Sequence, residues 1–329
     1  MLSPRIVRGT WGPLLAAALA CSAAAQTADF SKRLAEAEQL RAQDRFAEAR
    51  TFYRDLLRDV RADSPDHRLE ALVLDHLALN EQDSGDYAAA ETVFNHGLAA
   101  VSAQPAADPV LIALKTDLAE LYIAETRPED AEPLLRQSVA ALRSTVLPDS
   151  VAIAVADEDL AVVCIMRRKF DEPEALLRQS QALIENLFGS DNTKLSTSLL
   201  TFAGFLTAQH RYADALAPAE RAWQILDANH APVPTPYRAI ALSVLGVVYY
   251  HTGRADKAEA CARQAVDLAE ASLGPRHPRL GRYLSNYAVI LKWAGHTNEA
   301  KAVQKRADEI LEQNPPAGTG YTVNVAALR

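Results

Sequence analysis

The sequence predicts an all-α chain, and within that class a linear array of seven antiparallel helical pairs. Three observations carry the prediction: the composition, a motif that returns at a nearly constant interval, and the small residues that return with it. Ala, Leu, Glu, Arg and Gln dominate, all strong helix formers, and no stretch alternates β-branched and polar residues as a half-buried strand does. Only 6% of the residues are aromatic although 49% are hydrophobic, so small and aliphatic side chains must build the core. Length alone allows one to three compact domains, but an array whose repeats contact only their neighbours escapes that limit.

Residues 1–25 stand apart from the array. Arg5 and Arg8 make a positive start, Pro13 to Ala20 is a short apolar run, and Ala23-Ala24-Ala25 before Gln26 supplies the small residues of a cleavage site. These are the features of a secretory signal peptide, and the apolar run falls short of the roughly 20 residues a membrane span needs. The expectation is export to the periplasm or beyond. The alternative is an outer-membrane lipoprotein: Ala18-Leu19-Ala20-Cys21 resembles the lipobox of bacterial lipoproteins, in which the Cys carries a lipid anchor, although Ala18 occupies a place that usually holds Leu. Loss of Arg5 and Arg8 leaves 32 basic against 42 acidic residues and moves the net charge from -8 to -10. So acidic a chain has no general field for nucleic acid.

The repeat shows first in two segments 42 residues apart, Glu132 to Ser138 and Glu174 to Ser180, which agree at six of seven places. Extended in both directions, the register gives the anchors Ala49, Ala90, Ala131, Pro173, Ala215, Ala258 and Ala300, spaced by 41, 41, 42, 42, 43 and 42 residues. Seven places after each anchor stand Leu56, Gly97, Ser138, Ser180, Ala222, Ala265 and Ala307, small in six cases of seven. Small residues two turns apart let a neighbouring helix come close. Four places after the anchor, Tyr53, Phe94, Leu135, Leu177, Ala219, Ala262 and Gln304 fill the same face, and only the last is polar.

Each anchor is preceded by another amphipathic segment, clearest where Leu242, Leu245, Gly246 and Tyr249 precede Gly253. Glycines 85, 253 and 295 sit where a left-handed residue ends the first helix of a pair, and breakers such as Ser64-Pro65 and Gly274-Pro275 separate the pairs. The repeats are expected at about 29–63, 64–104, 105–146, 147–188, 189–231, 232–273 and 274–313, within a solenoid of residues 26–313 and before a C-terminal tail of 314–329. Pro173 falls in the first turn of its helix, where the missing N–H costs little; Pro133 and Pro218 lie deeper, so those helices are expected to start late or bend. Lys301, Gln304, Lys305, Asp308 and Glu309 give the last copy the polar outer face of a terminal cap.

The apolar residue, Leu-Gly, Tyr and anchoring Ala of the sixth copy resemble the tetratricopeptide repeat, and the 42-residue period with its Pro-containing connector resembles the kinesin-light-chain subtype. The resemblance covers about residues 29 to 313 and implies a right-handed α-solenoid whose first helices line a concave groove. It implies a scaffold and no chemistry. The sequence holds no zinc-protease helix, phosphate-binding glycine loop, nucleophile elbow or Cys-x-x-Cys pair, and its eight histidines follow no common repeat position. No cofactor, metal or catalytic residue is expected. Cys164 and Cys261, in different repeats, read as small core residues beyond disulfide reach.

Carried through the anchor register, the family's groove positions fall on Asp75 and His76, then Thr116, Asp117 and Glu120, then Glu158, Asp159 and Val162. They continue on Leu200, Thr201 and Thr207, on Ser243, Val247, Tyr250 and His251, and on Ser285, Asn286, Val289 and Trp293. Taken singly, each is better read as a solvent-facing polar residue of an amphipathic helix. Taken together, they form a stripe that changes from acid to hydroxyl, amide and aromatic groups. Chaperone-binding members of the wider family hold a C-terminal carboxylate with Lys and Asn; the matching Asp75, Thr116 and Glu158 argue against that ligand. The expectation is a non-catalytic cell-envelope adaptor that binds extended, Lys- or Arg-containing segments of partner proteins. The alternative is an accessory subunit that binds a glycan or other small polar ligand near Tyr250 and Trp293.

Overall fold

The computed structural model describes residues 24–63, 67–145, 150–228 and 235–313, and every regular element among them is an α-helix. The helices follow one another in pairs: α1 (Ala24–Ala42) with α2 (Phe46–Asp63), α3 (His67–Ser84) with α4 (Tyr87–Ala100), α5 (Pro109–Ala124) with α6 (Pro128–Arg143), and α7 (Ser150–Met166) with α8 (Pro173–Phe188). Then come α9 (Thr193–Ala208) with α10 (Tyr212–Ala228), α11 (Thr235–His251) with α12 (Ala255–Leu273), and α13 (Pro278–Trp293) with α14 (Thr297–Gln313). The expected signal peptide lies outside the described residues except for Ala24 and Ala25, which open α1; the tail after Gln313 lies wholly outside them. The chain divides into two compact units, Met1–Val163 and Cys164–Arg329.

Within each unit the packing follows from the anchor register. Ala49, Ala90, Ala131, Ala215 and Ala258 are fully buried, and so are Tyr53, Phe94, Leu135, Leu177 and Ala219 four places later. The small residues of the third series also face inward: a Cβ on Gly97 would stand 2.8 Å from a Leu114 methyl. At Gly246 a Cβ would meet the backbone of Ala258 and Ala262 at 3.4 Å, so the glycine of α11 lies directly against the anchor of α12. Small residues therefore set the distance between helices, as ridge-into-groove packing requires.

Every turn inside a pair contains one left-handed residue: Asp44, Gly85, Thr126, Arg168, His210, Gly253 and Gly295, with φ between 57° and 91°. Their intervals repeat those of the anchors. In each case the next residue donates its N–H to the carbonyl five places back, as from Arg127 to Tyr122 and from Arg254 to Tyr249, at 2.8 to 3.0 Å. This is the Schellman closure of a helix C-terminus. Glycine occupies three of the seven turns, as expected; the others force an L-residue into the same conformation.

The residue after that turn is Arg or Lys in five copies and His in a sixth, and in four of them it is seen to reach back to the preceding pair. Arg127 meets Glu91 at 3.0 Å, Arg211 meets Glu174 at 2.7 Å, Arg254 meets Glu220 at 3.3 Å and His296 meets Glu259 at 3.4 Å. Tyr122 and Tyr249 donate their hydroxyls to the same Glu91 and Glu220, at 2.9 Å in both cases.

One expectation is narrowed and one corrected. α6 and α10 begin at Pro128 and Tyr212 with Pro133 and Pro218 inside them, so of the late start or bend expected there the late start does not occur. Cys164 is buried, but Cys261 is only partly so; both are free thiols, and burial pushes Cys261 up to about 11.

Candidate functional site

In the first unit the acidic groove candidates separate into two groups. Asp117 and Glu120 on α5 act electrostatically on Asp159 of α7, together with its neighbour Glu158. Burial first, then Glu120, Glu158 and Asp117, push the Asp159 carboxyl well above the usual carboxylate range. Its Oδ2 is closed off from solvent and accepts no hydrogen bond. Four carboxylates on two first helices thus share one neighbourhood.

Asp75 on α3 belongs with a different set. It adds to the field on the fully buried Tyr53 of α2, whose hydroxyl is raised chiefly by burial, and Glu38 and Asp83 act in the same sense. Beside it His76 stacks on Tyr53 at 6.3 Å and meets Glu38 of α1 at 3.0 Å. Burial opposes ionisation of Glu38, but His76 and Arg41 outweigh it and hold the carboxyl low.

In the second unit Thr201, Ser243 and Asn286 are nearly enclosed, at 8%, 7% and 3% exposure. The solvent-facing positions expected from amphipathicity are therefore packed, because first helices also touch one another: α9 contacts α11, and α11 contacts α13. The Thr201 hydroxyl turns back to the Thr197 carbonyl at 3.2 Å. Tyr250 and Trp293 behave differently. Their rings lie 4.9 Å apart at 76°, at the C-terminal ends of α11 and α13, and Trp293 is 42% exposed. Tyr250 in turn sets its ring across His251 at 4.8 Å, and His251 lies face to face with Tyr212 at 3.7 Å. His210 closes the series, 5.8 Å from Tyr212, its Nδ1 2.7 Å from the Tyr212 hydroxyl. Burial, then the nearby His210, lowers His251 below the ordinary histidine range.

The sequence reading did not gather His210 and Tyr212 into this group. A signal existed: Phe46, Tyr87, Phe170 and Tyr212 each stand two places after the left-handed turn residue. Tyr250, His251 and Trp293 stand two or three places before it, so the turn register, and not the groove register, brings these rings together.

Among the described residues, no group of three or more His, Cys, Asp or Glu is placed to hold a metal ion, and no helix is long and apolar enough to cross a membrane.

Residues 237–313 match the sequence model of the tetratricopeptide repeat. No curated protein matches the chain. Solved structures match it in fold. The Rap protein complexed with competence and sporulation factor has a TM-score of 0.64 at 12% identity, over 87% of this chain and 77% of that one. The quorum sensor NprR in complex with its cognate peptide NprX has a TM-score of 0.61 at 13% identity, over 87% and 80%. BtubC from P. vanneervenii has a TM-score of 0.57 at 20% identity, over 74% and 92%. The chain thus has the tetratricopeptide-type helical-repeat fold.

Proposed function

We propose that this chain is a non-catalytic scaffold of the bacterial cell envelope that holds extended, basic segments of partner proteins against its first helices. The observation that carries the reading is the group Asp117, Glu120, Glu158 and Asp159, in which burial first and then the three neighbouring carboxylates raise Asp159. Carboxylates held this close are relieved by a cation, and a Lys or Arg side chain supplies one together with hydrogen-bond donors. A similar fold in NprR holds a peptide, which supports a peptide ligand here. Export rests on the charged start, apolar run and small residues of 1–25.

The test begins with capture of partners by the tagged full-length chain from its own cell envelope. Titration of a captured segment against the wild type and a Glu120→Gln/Glu158→Gln variant, at low and high salt, follows. These two half-buried positions are chosen because Asp75 and Asp117, at 4% exposure, would compromise folding if changed to Lys. Exposed charge pairs contribute about 0 to 1 kcal/mol each, so the double variant should bind several-fold more weakly, and the difference should shrink as salt shortens the screening length to about 8 Å. Equal affinity in all four titrations would sink the reading. Fractionation of a Cys21→Ala variant addresses targeting: soluble periplasmic recovery is expected for both chains, and Cys21-dependent membrane retention would replace that with the lipoprotein route.

A further inference from the structure

We infer, independently of the binding reading above, that the sixth and seventh repeats loosen in mild acid, because two histidines that hold them, His251 and His277, occupy places that admit only the neutral ring. One acts as a helix cap and the other as a packed ring between repeats.

His277 is the N-cap of α13, and its Nδ1 accepts the N–H of Arg279 at 3.1 Å. Asp86, Asp108 and Asn192 cap α4, α5 and α9 with oxygens that remain acceptors in mild acid. A histidine does not: both ring nitrogens of an imidazolium are donors, so protonation removes the cap. It also puts a positive charge at a helix N-terminus, where the dipole opposes it. Burial first, with Arg279 and Arg282 acting in the same sense, lowers the His277 ring below the ordinary histidine range. Glu270, the acid in the last turn of the preceding α12, is held by Arg306 of α14.

His251 ends α11 and ties it to the pair before. Its ring lies face to face with Tyr212 of α10, 3.7 Å between centroids and 5° from parallel, and meets the Tyr250 ring edge-on at 4.8 Å. Its Nε2 is closed off from solvent and has no hydrogen-bond partner. A proton there places a charged N–H where nothing accepts it. The helix C-terminus and the Tyr212 face both favour a cation, but burial and then His210 outweigh them, and the net direction is downward. The charges that α10 and α12 bring to this end of α11, Glu220, Arg254 and Lys257, gather on Tyr249.

The two sites act with the same sign. A histidine lowered by folding takes its proton more readily when its surroundings open, so stability is full above the ordinary value of about 6.5 and is lost as pH falls from there through the lowered folded value. They also act on the same junctions. The Tyr212 stack joins pair five to pair six, and the Tyr250–Trp293 contact, from the same turn of α11, joins pair six to pair seven. His277 opens α13, the helix that ends on Trp293. Protonation therefore releases α11 at its C-terminus and α13 at its N-terminus, and in an array of neighbour contacts each loosening weakens the next pair.

The test is amide hydrogen exchange of the full-length chain at pH 7.5, 6.5 and 5.5, with rates corrected for the intrinsic pH dependence of exchange. The opening equilibrium of residues 235–251 and 278–293 should rise several-fold between pH 7.5 and 5.5, up to about tenfold for each histidine. His277→Asn keeps a cap acceptor that takes no proton, and His251→Phe keeps a ring against Tyr212. Both variants should fold, each should lose part of the acid response, and the double variant should lose all of it, which a merely structural role for the two rings would not produce. A wild type whose opening in these helices is the same at all three pH values would overturn the inference, and so would a double variant that keeps the wild-type response. Neither result touches the titrations of captured segments, so this inference and the scaffold reading fail separately.

Discussion

At the scale of single residues, seven turns need a left-handed residue and only three have glycine. An L-residue there costs about 1–2 kcal/mol in backbone sterics, partly offset because glycine is looser when unfolded. Arg168, with φ 57°, should gain about 0.5–1 kcal/mol when changed to Gly. Gly253→Ala should lose a similar amount; a Cβ there meets nothing within 4 Å, so the loss isolates the backbone strain of φ 77°. Urea unfolding midpoints of the two variants should move in opposite directions, and parallel shifts would refute the strain account. Asp159 makes the second prediction at this scale. Its folded carboxyl is raised, so the native state binds the extra proton between the ordinary carboxylate range and the raised value, and stability falls as pH rises through that interval. Asp159→Asn should therefore be more stable than the wild type at neutral pH, with the advantage disappearing toward pH 4. A constant advantage from pH 4 to 8 would exclude titration as its source. Neither feature was fully legible in the sequence: Gly85, Gly253 and Gly295 announced their turns, but Asp44, Thr126, Arg168 and His210 carry no such signature.

At the scale of helices, Arg127, Arg211 and Arg254, each just after a turn, join their pairs to a carboxylate of the pair before. Arg127 serves Glu91, Glu125 and Asp130, and its hydrogen bond is the main reason the Glu91 carboxyl lies below its usual range. Because Arg127 and Glu91 keep 36% and 29% of their side-chain surface, solvent screens much of that effect. A double-mutant cycle on Arg127→Ala and Glu91→Ala should give a coupling of about 1 kcal/mol, lost as pH falls below the ordinary glutamate range, where the folded carboxylate takes up its proton. A coupling indistinguishable from zero at neutral pH would remove the clasp from the forces joining these repeats. Gly246 tests the packing itself: Gly246→Leu would drive a side chain into the α12 backbone at 3.4 Å and should destabilise by about 1–3 kcal/mol or more. The anchor register foretold this helix contact, because a small residue facing a small residue is a local pattern. It could not foretell the clasps, whose partners lie 34 to 37 residues apart and meet only once two pairs stack.

At the scale of the whole molecule, stability in a repeat array is a sum of neighbour terms. Removal of residues 274–329 should uncover the outward side of α11 and α12 and lower amide-exchange protection across 236–273; unchanged protection there would contradict the neighbour model. By itself the sequence determined the helices, their pairing and their buried faces, because a constant period brings Ala49, Ala90, Ala131 and their equivalents to one inner face whatever else varies. It also marked the acidic and aromatic candidates. Only the tertiary structure decided which of them remain available. Thr201, Ser243 and Asn286 look like groove residues in a single helix but are enclosed once first helices touch. Asp75 joins Tyr53 and Glu38, whereas Asp117, Glu120, Glu158 and Asp159 assemble across α5 and α7. Periodicity specifies the face on which a side chain emerges; exposure and electrostatic neighbours depend on distances between helices, which arise only when the repeats pack.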